Sequence, residues 1–321
     1  MRSQKRSLFL AAFLVSVFST VTTWPAEPAA VAQNGRSLQA LVDASVQATL
    51  REFEGRKLQS NQLAVTLVDL RDSEHPRRAS YRGDVQIYPA SVVKLFYLVA
   101  AHRWMEDGKL QDTPELRRAM RDMIVESYNE ATHYIIDLLT DTTSGPELTD
   151  KEIDTWFEKR NVVNRYFLSL GYTNINANKK PWCEGPYGRE VQSIQRHQPS
   201  RNMLTTDATA RLLAEIATGR AVTARRSEEM LELMKREPFK KIEEGAEPDQ
   251  GTAFSGLGLS RGARLWSKAG WTSQTRHDAA CVELANGARF VLVTFTTDHA
   301  NERGILAAMM RRVVAGFEGN R

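Results

Sequence analysis

Residues 88–108, YPASVVKLFYLVAAHRWMEDG, constrain the fold more than any other stretch of the chain. The run is apolar on nearly every side, so a helix here has no solvated face and must be enclosed by the rest of the protein. Gly108 suits the end of that helix. Within it, Ser91 is followed three residues later by Lys94. Lysine is among the residues least often buried without a partner. On a helix these two positions share a face, which sets a hydroxyl beside an amine. Burial penalises an ammonium, so the Lys94 pKa is expected to fall. A neutral Lys94 would then serve as base for Ser91, a weak nucleophile on its own. The start of the helix would offer backbone N–H groups to a developing oxyanion.

The surroundings of this helix can be read from periodicity. Residues 37–54 repeat Leu38, Leu41, Val42, Val46 and Leu50 at helical spacing. QLAVTLVDL (62–70) reads as a strand and RRASYRG (77–83) as its partner. Thr113 caps a helix that begins at Pro114. A further helix follows Asn129, and the capping box TDKE (149–152) opens one that runs toward Gly171. Residues 172–202 show no periodicity and read as a long loop, then two more helices follow. Near the end, ARLWSKAG, DAACVEL and RFVLVTFTT are strand-like, with Asn286-Gly287 as a hairpin turn between the last two, and a final helix spans about 300–316. The order predicts an α/β (α+β) fold: an antiparallel sheet built from both chain ends and flanked by helices, with an all-helical domain inserted. The expected division is 1–32 as leader, 33–87 plus 255–321 as the sheet domain, and 88–254 as the helical domain.

The leader has a basic start (MRSQKRS), an apolar core (LFLAAFLVSVFSTV) and a small-residue cleavage site (AAVA, 29–32), which predicts export to a periplasm or the medium. The apolar core is shorter than the roughly 20 residues that span a bilayer, so no stable anchor is expected after cleavage. Formal net charge is +4, and removal of Arg2, Lys5, Arg6 and Glu27 halves it. No basic stripe asks for nucleic acid. The histidines at 75, 102, 133, 197, 277 and 299 lack metal-ligand spacing, and neither a metal nor a cofactor is expected. Cys183 and Cys281 are read as separate thiols rather than a bridge.

Two tripeptides give the Ser91–Lys94 pair a context. Ser127-Tyr128-Asn129 is an S-x-N sequence between two helices, and Lys268-Ala269-Gly270 is a K-x-G sequence ending a strand. Each alone is ordinary: a helix cap, a turn glycine. S-x-x-K, S-x-N and K-x-G in that order, on helix, inter-helix turn and strand, are far more specific. The set resembles the penicillin-recognising serine hydrolases, the class A β-lactamases and penicillin-binding proteins. The likeness extends to MIVESYNEATHYIIDLL, MLTTDATARLLAEIATG and LWSKAGWT…RHDAACVEL…RFVLVTF, and covers most of 37–317.

The resemblance implies an exported serine hydrolase that is acylated at Ser91 by a β-lactam or D-alanyl amide and then hydrolysed. Lys94 would be base or proton relay, Ser127 would pass a proton to the leaving nitrogen, and Lys268 would meet the substrate carboxylate. Asn129 would bind the substrate's side-chain amide, and Gly270 would leave room along the strand. Backbone N–H groups of Ser91 and Trp271 would form the oxyanion hole, with Thr272 and Arg276 as further carboxylate contacts. The class A pattern of a glutamate with an asparagine four residues on is missing from 172–202: Gly188 follows Glu184 at that spacing, and Ile194 follows Glu190. Glu184 and Glu190 are the candidate deacylation bases. Their departure from the pattern leaves open a D-alanyl-D-alanine peptidase or a penicillin-binding sensor without turnover.

Overall fold

The computed structural model describes residues 37–319 except 183, 184, 246 and 248. The predicted leader, Cys183 and Glu184 therefore lie outside the described residues. The chain opens with α1 (Leu38–Glu52), capped by the Ser37 hydroxyl, which accepts from the Ala40 N–H. It continues through β1 (Leu63–Asp69) and β2 (Arg77–Tyr81). Helices follow: α2 (Lys94–Glu106), α3 (Pro114–Arg121), α4 (Asn129–Thr140), α5 (Asp150–Arg160), α6 (Val162–Ser169), α7 (Arg189–Arg196), α8 (Thr206–Ala217) and α9 (Ala224–Met234). A two-residue β3 (Lys235–Arg236), β4 (Arg264–Trp271), β5 (Thr275–Glu283), β6 (Arg289–Thr297) and α10 (Gly304–Glu318) complete it.

The sheet order is β2-β1-β6-β5-β4-β3, and each pair is antiparallel. The two chain ends meet in the β1–β6 pair, where Thr66 faces Val293. Period-two alternation divides β1 between two cores. Leu63, Val65 and Leu67 pack with Val42 and Val46 of α1 and with Met309 and Val313 of α10. Ala64 and Val68 face the opposite core with α2 and α8, through residues such as Phe96, Leu98, Leu212 and Leu213. In α2 all residues from Lys94 to His102 are buried, together with Trp104 and Met105, as its all-round apolar sequence requires. The β5–β6 hairpin turns at Asn286-Gly287, with Gly287 at φ +83°.

Three local features differ from the sequence expectation. The segment 172–202 contains α7, whose buried residues are Glu190 and Ser193 rather than an apolar stripe. Hydrophobic periodicity had no means of finding a helix anchored by polar groups. The helix expected from Thr149 to Gly171 breaks between α5 and α6 at Asn161. There the Asn161 side chain accepts from Asn164 and Asn178, a local alternative to the helical ladder. Finally, Ser91 sits on a 3₁₀ turn (Ala90–Val93) that precedes α2, not on the α-helix itself. Positions three apart still align in a 3₁₀ turn.

Candidate active site

Three segments converge. The first is the turn 90–93 with Lys94 at the start of α2. Ala90, buried and directly before Ser91, adopts φ +47°, a conformation that costs a non-glycine residue about 1–3 kcal/mol. Ser91 is half-buried, whereas Lys94 is fully buried. The second is the connection from α3 to α4. A π-helical turn, Asp122–Glu126, delivers Ser127 in a left-handed conformation (φ 62°), and Asn129 then begins α4. The third is β4. A Cβ on Gly270 would stand 2.5 Å from the Pro89 carbonyl oxygen and 3.1 Å from the Ser91 nitrogen, so β4 and the turn that carries Ser91 are in backbone contact.

The two lysines share one hydroxyl. Lys94 Nζ donates to the Ser127 carbonyl at 2.5 Å, to Asn129 Oδ1 at 2.8 Å and to Ser127 Oγ at 3.3 Å. Lys268 Nζ donates to Ser127 Oγ, to Gln250 Oε1 and to its neighbour's carbonyl at Ala269, each at 2.9 Å. Lys268 is fully buried. Burial, then the charges of Lys94 and Arg236, push its pKa well below the usual lysine value; Asp278 opposes them.

Strand parity aims the backbone of β4. Ala269 N–H donates to Gln250 Oε1, away from β5, whereas Thr272 N–H donates to Thr275 across the hairpin. Backbone groups of an antiparallel strand alternate sides, so the Trp271 N–H points the same way as that of Ala269. β3 pairs only with Leu265 and Trp266, which leaves the rest of that edge without a strand among the described residues. Trp271 and Tyr128, next in sequence to Gly270 and Ser127, are exposed aromatic side chains.

The remaining residues named from sequence have other partners. The Thr272 hydroxyl accepts from the N–H groups of Gln274 and Thr275 and fixes the hairpin turn. Arg276 is buried, donates to the carbonyls of Ala300 and Ala253, and lies over the Phe254 ring. Its guanidinium is thus occupied in joining β5 to the segments on either side. Glu190 is buried with its carboxylate on Arg160 (2.9 Å) and the Ser144 hydroxyl (2.9 Å). That carboxylate is held as the ion-pair partner of Arg160. Cys281 is a buried free thiol in the core.

Two residues escaped the sequence reading. Gln250 accepts from Lys268 and Ala269 while donating to the carbonyls of Ile124 and Val125. Arg236 donates to the carbonyls of Ser267 and Ile124. Together they lash β4 to the π-helical turn that presents Ser127. Gln250 lies in a segment whose composition reads as a linker, so no sequence signal marked it.

Comparison with known proteins adds a family. The sequence model described as the Beta-lactamase enzyme family matches residues 111–314, a range that includes Ser127, Asn129, Lys268 and Gly270. No curated protein matches the chain. Among solved structures, a mutant of PBP-A captured as an acyl-enzyme with penicillin G is similar at 19% identity and TM-score 0.62, over 89% of this chain and 100% of that one. A beta-lactamase from Sphaerobacter thermophilus is similar at 18% identity and TM-score 0.59, over 86% and 97% of the two chains. A class A beta-lactamase representative from Bacteroides cellulosilyticus is similar at 15% identity and TM-score 0.61, over 89% and 100%. At these identities the likeness speaks for the fold.

Proposed function

The chain belongs to the beta-lactamase enzyme family, and from that premise we propose that it is an exported serine hydrolase in which Ser91 is acylated by a β-lactam or a D-alanyl amide. The observation that carries this reading is the single Ser127 hydroxyl held by two buried lysines from distant segments. In the proposed sequence, Lys94 takes the Ser91 proton as the Ser91 oxygen attacks the carbonyl carbon. The oxyanion that forms is met by the N–H groups of Ser91 and Trp271. The proton then passes through Ser127 to the leaving nitrogen as the C–N bond breaks. Lys268 holds the substrate carboxylate, and the Asn129 amide meets the acyl side chain. Water finally splits the ester and restores Ser91. Glu184 is the proposed base for that step.

Peptide hydrolysis or a long-lived adduct is the second reading, favoured by the missing asparagine four residues after Glu184. Intact mass followed over time with a reporter β-lactam tests both. Transient addition with product release identifies a lactamase, and a persistent adduct identifies a peptidase or sensor. An unchanged mass that Ser91→Ala does not alter refutes acylation at Ser91.

A further inference from the structure

Strand β5 lies inside the sheet, between β6 and β4, and is buried from Thr275 to Val282. A carboxylate is costly in such a place unless it is paired. Asp278 nevertheless stands there, fully buried. Its Oδ2 accepts from the Ser255 N–H at 3.1 Å, and its Oδ1 has no hydrogen-bond partner among the described residues. Burial pushes its pKa up to about 6, with Ser255, Arg236 and Lys268 pulling the other way. It is therefore an anion at neutral pH. A buried anion held by one backbone N–H weakens the fold, so stability does not account for it.

The register places this anion behind the candidate site. Asp278 lies opposite Ala269, and Ala279 opposite Lys268. Paired residues share a face of the sheet and neighbours along a strand alternate. Asp278 and Lys268 therefore leave adjacent strands on opposite faces, one residue apart in register. Ala269 packs with Phe254 and Leu306 on the Asp278 side, and Ala279 joins the helical core on the other. Three charged groups act on Lys268 from the elements around it. Lys94 of α2 and Arg236 of β3 disfavour its ammonium, and Asp278 of β5 favours it. Arg236 is in turn faced by Asp278, Asp249 and Glu126. A mechanical tie runs alongside. Asp278 holds Ser255, and the same segment carries Gln250, whose Oε1 accepts from Lys268 Nζ and the Ala269 N–H.

We propose that Asp278 is a positioning residue for the proposed reaction: from the far face of the sheet it supplies the negative charge that keeps Lys268 an ammonium, and it leaves the near face to the substrate carboxylate. The inference rests on the reading of Lys268 as the group that holds that carboxylate. A carboxylate on the near face would pair with Lys268 directly and close the seat that the substrate needs. Behind the strand, Asp278 strengthens the hold of Lys268 on its proton without touching it.

The test is the titration of Lys268 by NMR in protein labelled at the lysine ε-carbons, its signal assigned by its loss in Lys268→Met. Asp278→Asn keeps an oxygen for the Ser255 N–H and removes the charge. The Lys268 midpoint is expected to fall in this variant by about 1 pH unit, the scale of a lost opposite charge nearby. In wild type the same signal is expected to register a step near pH 6, as Asp278 ionises. In kinetics, KM for a carboxylate-bearing β-lactam should begin its climb about 1 pH unit earlier in Asp278→Asn, and KM for the methyl ester should not move. A purely structural role would change Tm and kcat alike at every pH and leave the Lys268 midpoint where it is. That result, or a wild-type Lys268 signal without the step near pH 6, overturns the proposal. A moved midpoint with an unmoved KM profile upholds the charge relationship and refutes instead the reading of Lys268 as holder of the carboxylate. Asp278→Ser is a second neutral variant, read in the same way if the amide does not fold.

Discussion

Lys268 Nζ on β4 donates to Ser127 Oγ at 2.9 Å across 141 residues of chain, and Lys94 Nζ approaches the same oxygen at 3.3 Å. With two lysine nitrogens donating to its oxygen, the Ser127 hydroxyl proton is directed away from both, toward the space where a leaving nitrogen would sit. Ser127→Ala is expected to leave the fold intact and to slow acylation by about 10²–10⁴-fold, the range for a lost proton-transfer group. Stopped-flow acylation with a reporter β-lactam, beside a thermal melt, measures both. An unchanged acylation rate would remove Ser127 from the relay.

In the proposed reaction Lys268 holds the substrate carboxylate, so its depressed pKa should set the pH dependence of substrate binding. Only the ammonium attracts a carboxylate, so KM for a carboxylate-bearing substrate should climb as pH rises through a value well below 10.5. A methyl-ester analogue should show no such climb, and Lys268→Met should flatten the profile for the acid. A KM that stays level up to pH 10 in the wild type contradicts the assignment.

Gly270 permits the contact between β4 and the Ser91 turn. In Gly270→Ala the new methyl meets the Pro89 carbonyl at 2.5 Å and the Ser91 nitrogen at 3.1 Å, both backbone atoms with little room to yield. The expected losses are about 1–3 kcal/mol of stability and about 10²-fold in acylation, because a small displacement of reacting groups suffices for that. Urea unfolding and acylation kinetics on the same preparation report the two effects.

Glu190 and Glu184 should separate cleanly. Glu190→Ala leaves Arg160 without its 2.9 Å partner in a buried cluster, which should cost about 3–5 kcal/mol while the deacylation rate of the surviving native protein stays the same. Glu184→Gln should do the reverse: little change in Tm, and an acyl-enzyme that persists. Mass spectrometry after a short β-lactam pulse distinguishes them.

His277 makes the fold sensitive to acid. Its Nε2 faces the Tyr88 carbonyl at 2.9 Å, and its Nδ1 accepts from the Thr296 N–H at 3.1 Å, so the ring is held neutral with its proton on Nε2. Burial pulls its pKa from 6.5 to about 4, and burial does the same to His102. Between these values the unfolded chain binds protons that the native chain does not. Stability is therefore complete above pH 6.5 and falls as pH drops toward 4, by up to ~3 kcal/mol per histidine. Urea unfolding at pH 7 and pH 5 should show the loss, and His277→Gln should reduce the slope between them.

Much of this arrangement was legible in the sequence because it rests on period and order. The all-round apolar α2, the alternation in β1 and the Asn286-Gly287 turn are each fixed by a few local residues. The S-x-x-K, S-x-N and K-x-G order located Ser91, Lys94, Ser127 and Lys268, which the fold brings to one place. What escaped was held by polar contacts between distant residues. Helix α7 is anchored by Glu190 on Arg160. Gln250 acts through carbonyls 125 and 126 residues away. Arg276 looked available for substrate, but it holds the Ala253 and Ala300 carbonyls. No pattern of residue types along a chain encodes such partners.

The pairing of β1 with β6 has a consequence for how the molecule comes into being. Val65 pairs with Thr294, far along the chain, so the first hairpin emerges long before β6 can close over its second edge. Pairings of such large sequence separation are slow to form. A product truncated before residue 289 would lose β6 and α10 together, and with β6 the strand that lies between β1 and β5. The Ser91 turn and Lys268 would then keep only their direct contacts, the Gly270 approach and the Ser127 hydrogen bond, without the strand that seats β1 beside β5.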